Sequence, residues 1–228
     1  MHNTPLPKKL LIINPNTTVS VTLQLRALAD QALGPDTRTE AVTAPFGAPY
    51  ISTEVACTVA GHATLQAWQD RPTAQVDGVL IGCFGDPGLF ALREMTTTPV
   101  TGLAEASFIA AQALGRYAIV TGGKPWAAML ARLAQALPAG QDLADIETVD
   151  LDGASLRANP ALGEQVLTEA CLRVLARTPV QAIVIGGAGL AGFAQRMQAQ
   201  VPVPLIDSVE AGLRHLHAIA TTPSQNQV

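Results

Sequence analysis

The feature that most constrains this chain is an internal repeat. "DGVLIGCFGDPGLF" (77–90) and "QAIVIGGAGLAGF" (181–193) carry one pattern, an apolar run that stops in a glycine-rich turn. Ile81-Gly82-Cys83 aligns with Ile185-Gly186-Gly187, Gly85 with Gly189 and Gly88 with Gly192, always 104 residues apart. Two more pairs recur in the same order: "LLIINPNT" (10–17) with "YAIVTGGK" (117–124), and "PVTGL" (99–103) with "PVPLI" (202–206). Three elements returning at offsets of 103 to 107 imply two similar lobes.

The runs 9–14, 37–44, 78–83, 100–103, 117–122, 145–151, 182–187 and 204–208 read as strands. Five are near-continuous apolar stretches, as in parallel strands covered on both faces. Helical patterns fill 18–33, 53–69, 104–114, 125–136, 162–177 and 208–220. Such alternation predicts an α/β fold: two pseudo-symmetric lobes, each a short parallel sheet flanked by helices. The expected division is 1–103 plus 205–228 against 104–204. Ligands of parallel sheets sit beyond the carboxyl ends of the strands, so the site belongs in the cleft between the lobes. The polar tail 221–228 is expected to fray.

Of the 228 residues, 48% are hydrophobic and 14% charged, which supports a large core and excludes disorder. A net charge of −4 without a basic run gives no support to nucleic-acid binding. No stretch is long enough to span a membrane, and "LLIIN" is short for a signal-peptide core, so a soluble cytoplasmic protein is expected. Cys57, Cys83 and Cys171 lack the spacing of a disulfide framework or a zinc site. Cys57 and Cys171 fall in mid-helix and read as core.

Cys83 ends a strand, before a Gly-Asp-Pro-Gly turn and a helix start. Free N–H groups at a helix N-terminus can lower a thiol's pKa and hold a carboxylate or enolate. A bland alternative is an inert buried thiol. "GAGLAG" (187–192) spells a dinucleotide fingerprint, with Asp207 20 residues past its first glycine. Only 36 residues follow Gly192, too few for the remaining units of that fold, and the sister motif fits no such pattern. His215 and His217, two apart on a helix, face different ways and do not form a metal pair. Glu105 opens a helix, where a carboxylate is favourable for structural reasons alone, and His62 reads as a surface or packing residue.

The chain resembles the aspartate/glutamate/hydantoin racemase superfamily, nearest its hydantoin and allantoin racemase branch. The resemblance rests on "INPNTT" (13–18) with Thr22, "CFGDPGL" (83–89), "GLAEA" (102–106), "IVTG" (119–122), "IGGAGLAG" (185–192) and "PLID" (204–207), in family order over nearly the whole chain. It implies two facing lobes, no metal, flavin or pyridoxal cofactor, a small carboxylate or hydantoin substrate and a homo-oligomer. It also implies two cysteines opposed across the substrate's α-carbon, one removing a proton and the other returning one. The first maps onto Cys83. The second maps onto Gly187, which has no proton to give.

By the same resemblance Asn14 contacts substrate, with Thr121, Gly122 and Gly123 in the symmetric place. Phe84, Gly85, Ala188 and Gly189 offer N–H groups near the reacting carbon. Thr18 is a candidate helix cap, and Pro45 and Phe46 could wall the pocket. Three readings stay open at this point: a racemase or epimerase that uses another group on the second face, a single-thiol decarboxylase of disubstituted malonates like arylmalonate decarboxylase, or a binding protein or altered variant that has lost the chemistry. In the decarboxylase the surviving cysteine lies in the second lobe, so the product here would have the opposite hand.

Overall fold

A computed structural model describes residues 8–71 and 75–221; of the tail predicted to fray, 222–228 lie outside the described residues. The first lobe runs β1 (Lys8–Asn14), α1 (Val19–Leu33), β2 (Thr37–Thr43), α2 (Glu54–Gln69), β3 (Gly78–Ile81), α3 (Leu89–Met95), β4 (Val100–Gly102) and α4 (Leu103–Gln112). The second runs β5 (Tyr117–Gly122), α5 (Trp126–Ala136), β6 (Leu143–Val149), α6 (Gly153–Ala158), α7 (Pro160–Arg177), β7 (Ala182–Gly186), α8 (Phe193–Met197), β8 (Leu205–Asp207) and α9 (Ser208–Thr221).

Each lobe holds a four-stranded parallel sheet, ordered β2-β1-β3-β4 in one and β6-β5-β7-β8 in the other. The two orders are the same topology, as the repeat requires. Apart from Lys8 and Lys9 at the start of β1 the central strands are fully buried, and this produces their unbroken apolar runs. Along β5 and β7 alternate residues part company. Ile119 and Val184 join the core shared by both lobes, whereas Ala118, Val120, Ile183 and Ile185 join a second core beneath α7 and α8. Gly88 and Gly192 sit at the caps of α3 and α8 with nearly equal angles, φ 86°, ψ 4° and φ 84°, ψ −10°.

The lobe boundary differs from the sequence expectation at 205–207. These residues pair with β7 and close the second sheet, because an edge strand joins the sheet that offers it free hydrogen-bonding groups. The helix that follows does pack on the first lobe, against α1, β3 and α4. In return α4, which follows the first sheet, packs against β7 and β8. Each lobe thus lends its last helix to the other, and Leu103, Phe108, Val209 and Leu213 stand in one continuous core. Helix α6 was absent from the sequence reading. Asp152 caps it through the Ser155 N–H at 2.7 Å, and Asn159-Pro160 ends it and begins the next.

Candidate active site

The carboxyl ends of both sheets open on one cavity of about 600 Å³. From the sequence-predicted residues its wall contains Cys83, Phe84, Thr121, Gly122, Gly187, Ala188 and Gly189. Cys83 follows β3 and Gly187 follows β7, equivalent places in the two lobes, so the thiol stands opposite a bare backbone.

Gly187 has φ +135°, a region that L side chains rarely adopt, and an added Cβ would lie 3.6 Å from Leu190. Space exists for a side chain, but the backbone suits glycine. Its N–H donates to the buried Ser208 hydroxyl at 3.0 Å. Ala188 and Gly189 open a short 3₁₀ turn and so have no acceptor within it. At the neighbouring Gly186 a Cβ would overlap the Phe84 ring. That ring is braced edge-on by Phe108 at 6.3 Å, so the glycine lets the two lobes close on each other.

The electrostatics correct one expectation. Helix α3 begins only at Leu89, six residues past the thiol, and exerts no useful field on it. Burial pushes the Cys83 thiol well up, helped by Cys57 and Asp86 nearby. Cys83 therefore rests as a thiol, a proton donor. Cys171 is inert core, pushed up to about 12 by burial. Cys57 is half-buried: it packs against the main core, as read from the sequence, and also lines a second cavity.

Four predicted contacts lie off this wall. Asn14 is fully buried, with its amide nitrogen near the Asn16 and Thr22 side chains and the Thr18 carbonyl at 3.0–3.1 Å. It shapes the turn that presents Asn16 and Thr18 to the cavity. Gly85 turns away beneath Trp126 and faces the second cavity, with its N–H on the Cys83 carbonyl. Gly123 lies behind Trp126 and Tyr50. Phe46 packs edge-on against His62 at 5.1 Å. Thr18 holds the cap position of α1, but its hydroxyl donates to the Pro49 carbonyl at 2.7 Å instead of capping.

That bond, with Thr17 N–H on the Ala48 carbonyl, ties the loop after β2 across the site. The loop brings Tyr50 and Ile51 into the wall, where Trp126, Asp152, Gly153, Ala154 and Arg157 meet them from the second lobe. Sequence reasoning missed all of these. The Asp152 cap and the Asn159-Pro160 break were a usable signal for the α6 residues; Tyr50 and Trp126 gave none, since only long-range packing places them.

The decoy and structural residues resolve simply. Asp207, the acidic residue of the dinucleotide-like pattern, accepts from the N–H groups of Gly192, Val209 and Glu210 and is spent within the fold. Glu105 accepts from Arg93 at 2.6 Å and Thr101 at 2.9 Å and is structural. Among the described residues no group of three or more His, Cys, Asp or Glu could hold a metal ion. No helix among them is long and apolar enough to cross a membrane.

Comparison with known proteins bears on the family and the fold. The Asp/Glu/Hydantoin racemase family model matches residues 10–216. A hydantoin racemase from Pseudomonas sp. (strain NS671) is 30% identical over 212 residues, covering 92% of this chain and 85% of the relative. The solved allantoin racemase from Klebsiella pneumoniae superposes with a TM-score of 0.85 at 29% identity, covering 97% of this chain and 96% of that one. A liganded arylmalonate decarboxylase mutant, with one glycine changed to cysteine and one cysteine to serine, shares the fold. Its TM-score is 0.68 at 17% identity, over 97% of this chain and 96% of that one.

Proposed function

The chain belongs to the Asp/Glu/hydantoin racemase family and is an enzyme of racemase type, and from that footing we propose a cofactor-independent isomerase of hydantoin-like carbon acids in which Cys83 serves one face of the reacting carbon. The observation that carries this is a single thiol on the cavity wall, facing a second-lobe loop of the same design without one. The hydantoin-like substrate is taken from the relatives and suits this cavity. Tyr50, Ile51, Trp126 and Leu190 give it apolar walls, and the Ala188 and Gly189 N–H groups can receive a carbonyl oxygen as it gains enolate charge.

Chemically, the acid in question is a C–H bond beside a carbonyl. Removing its proton leaves a planar enolate, and the cost falls when donors already stand where the charge develops. Cys83 in thiolate form takes the proton, and as a thiol it returns one to the same face. Because burial keeps the resting thiol protonated, a second reading has support: a lyase in which loss of carbon dioxide makes the enolate and Cys83 only protonates it. Incubating the protein in deuterated water with 5-substituted hydantoins, amino acids and disubstituted malonates decides the matter. Deuterium entry with loss of optical activity on a hydantoin supports the isomerase. Carbon dioxide release from a malonate with a single product enantiomer supports the lyase. No exchange on any hydantoin overturns the first reading.

A further inference from the structure

A racemase needs a proton on each face, and Gly187 supplies none. The protic side chains on the cavity wall can be taken in turn. The Thr121 hydroxyl donates to the Gly186 carbonyl at 2.7 Å, and Thr18 to Pro49 at 2.7 Å. Asp152 accepts from the Ser155 N–H at 2.7 Å, which holds it ionised. Arg157 keeps its proton at any working pH, and the alcohol of Ser20 is far too weak an acid. Tyr50 remains.

Tyr50 enters from the first-lobe loop, but its hydroxyl is set against the second lobe. It lies 3.7 Å from where a Gly123 Cβ would stand, a point 3.4 Å from the Trp126 ring, and Gly153 lines the same cavity wall. Gly153 in turn abuts Gly189, two residues past the missing thiol, with a closest approach of 3.0 Å for an added Cβ. The phenol therefore reaches second-lobe residues in the wall of the cavity that Cys83 and Gly187 also line. It is 39% exposed, so it can refill its proton from water at the cavity mouth.

We propose that Tyr50 is the proton carrier for the second face, in place of the thiol absent at Gly187. This rests on the isomerase reading above. In one direction the Cys83 thiolate takes the substrate proton and becomes a thiol, while the C–H electron pair passes into the enolate. The Tyr50 O–H bond then breaks as a new C–H bond forms on the opposite face, leaving a phenolate. In the other direction the phenolate takes the proton and the thiol gives one. Between turnovers one proton leaves Cys83 to solvent and one returns from solvent to Tyr50, so atoms and charge balance. Burial and the nearby Asp152 charge raise the Tyr50 phenol above its ordinary value, offset only in part by Trp126 and Gly153, so it rests protonated and ready to donate.

The test compares the parent with Tyr50→Phe on each pure enantiomer of a hydantoin that the parent exchanges, in deuterated water. The parent exchanges and inverts both enantiomers. Tyr50→Phe exchanges one enantiomer with retention, because Cys83 still works alone, and leaves the other inert, with racemisation down by 100-fold or more. Retained exchange on that enantiomer shows the variant is folded. Racemisation within threefold of the parent overturns the role of Tyr50 and leaves the isomerase reading standing. Equal loss of exchange on both enantiomers, with an unchanged melting temperature, also overturns it, as that marks a binding role. If the parent exchanges no hydantoin at all, the isomerase reading fails, and the inference that rests on it fails with it.

Discussion

The loops after β3 and β7 leave equivalent strands and end alike, but they differ in between: Gly187 has φ 135° and Asp86 φ 48°, and neither value recurs at the matching residue of the other loop. Each ends in a left-handed glycine, Gly88 or Gly192, that starts a short helix. Each is also moored to the helix that its lobe lends across. In the first lobe the mooring carboxylate is on the loop: Asp86, at φ 48°, accepts from the Ala104 and Glu105 N–H groups at 2.9 and 2.8 Å. In the second it is on the far side: Asp207 precedes α9 and accepts from the loop's Gly192 N–H at 2.6 Å. The same tie is made with donor and acceptor exchanged. What the duplication preserved is the two ends of the loop, set by the strand before it and the helix start after it. The side chains were free to diverge, and the thiol is present in one loop and missing from the other.

That contrast can be broken most forcefully at the thiol. Cys83→Ser should lower turnover by about 1,000-fold, as expected for loss of a positioned proton-transfer group, with the melting temperature nearly unchanged. A steady-state assay beside a thermal melt checks this, and a variant as active as its parent would remove Cys83 from the mechanism.

Next in size is the mooring at Asp86. Burial raises its carboxyl to about 7, against the pull of the Ala104 and Glu105 N–H groups. A folded-state value above the unfolded one means that the acid form favours folding. The stabilisation is complete below about pH 4 and is lost as pH rises towards 7, an effect on the order of 4 kcal/mol. Asp86→Asn should flatten this slope. Urea midpoints for both proteins across that range measure it, and parallel curves would refute the assignment.

The glycines one position earlier sharpen the comparison further. Gly186→Ala drives a Cβ into the braced Phe84 ring, whereas Gly82→Ala meets chiefly the tip of Leu25. The first should cost about 2 kcal/mol and lower the melting temperature by roughly 4–8 °C. The second should cost less, because a leucine tip can rotate aside. Equal losses would mean that the lobes do not close on Phe84 as described.

The smallest structural effect is expected at Gly187→Cys. Its side chain has room, but the positive φ costs about 1 kcal/mol, visible as a small drop in the melting temperature. Placing a thiol on the second face should also return racemisation to Tyr50→Phe.

All eight strands among the described residues were legible in the sequence, because apolar runs and glycine turns are signals carried within a few residues. So was Cys83 at a strand's end, facing a glycine in the sister loop. Helix α6 was legible in part, through Asp152 and Asn159-Pro160, but its turn toward the cavity was not. Which residues meet across the cleft was beyond local pattern. Tyr50, Trp126 and Arg157 come from three separate elements, and nothing near them in the chain records the meeting.

By itself the sequence determined the duplication, the succession of strands and helices along the chain and the asymmetry of one thiol against one glycine, since each is carried by short local runs. Only the tertiary structure decided that β8 closes the second sheet, that α4 and α9 are exchanged between lobes, and that Asn14 is scaffold. It also decided the protonation of Cys83, because desolvation depends on everything packed around the sulfur and not on the turn that follows it.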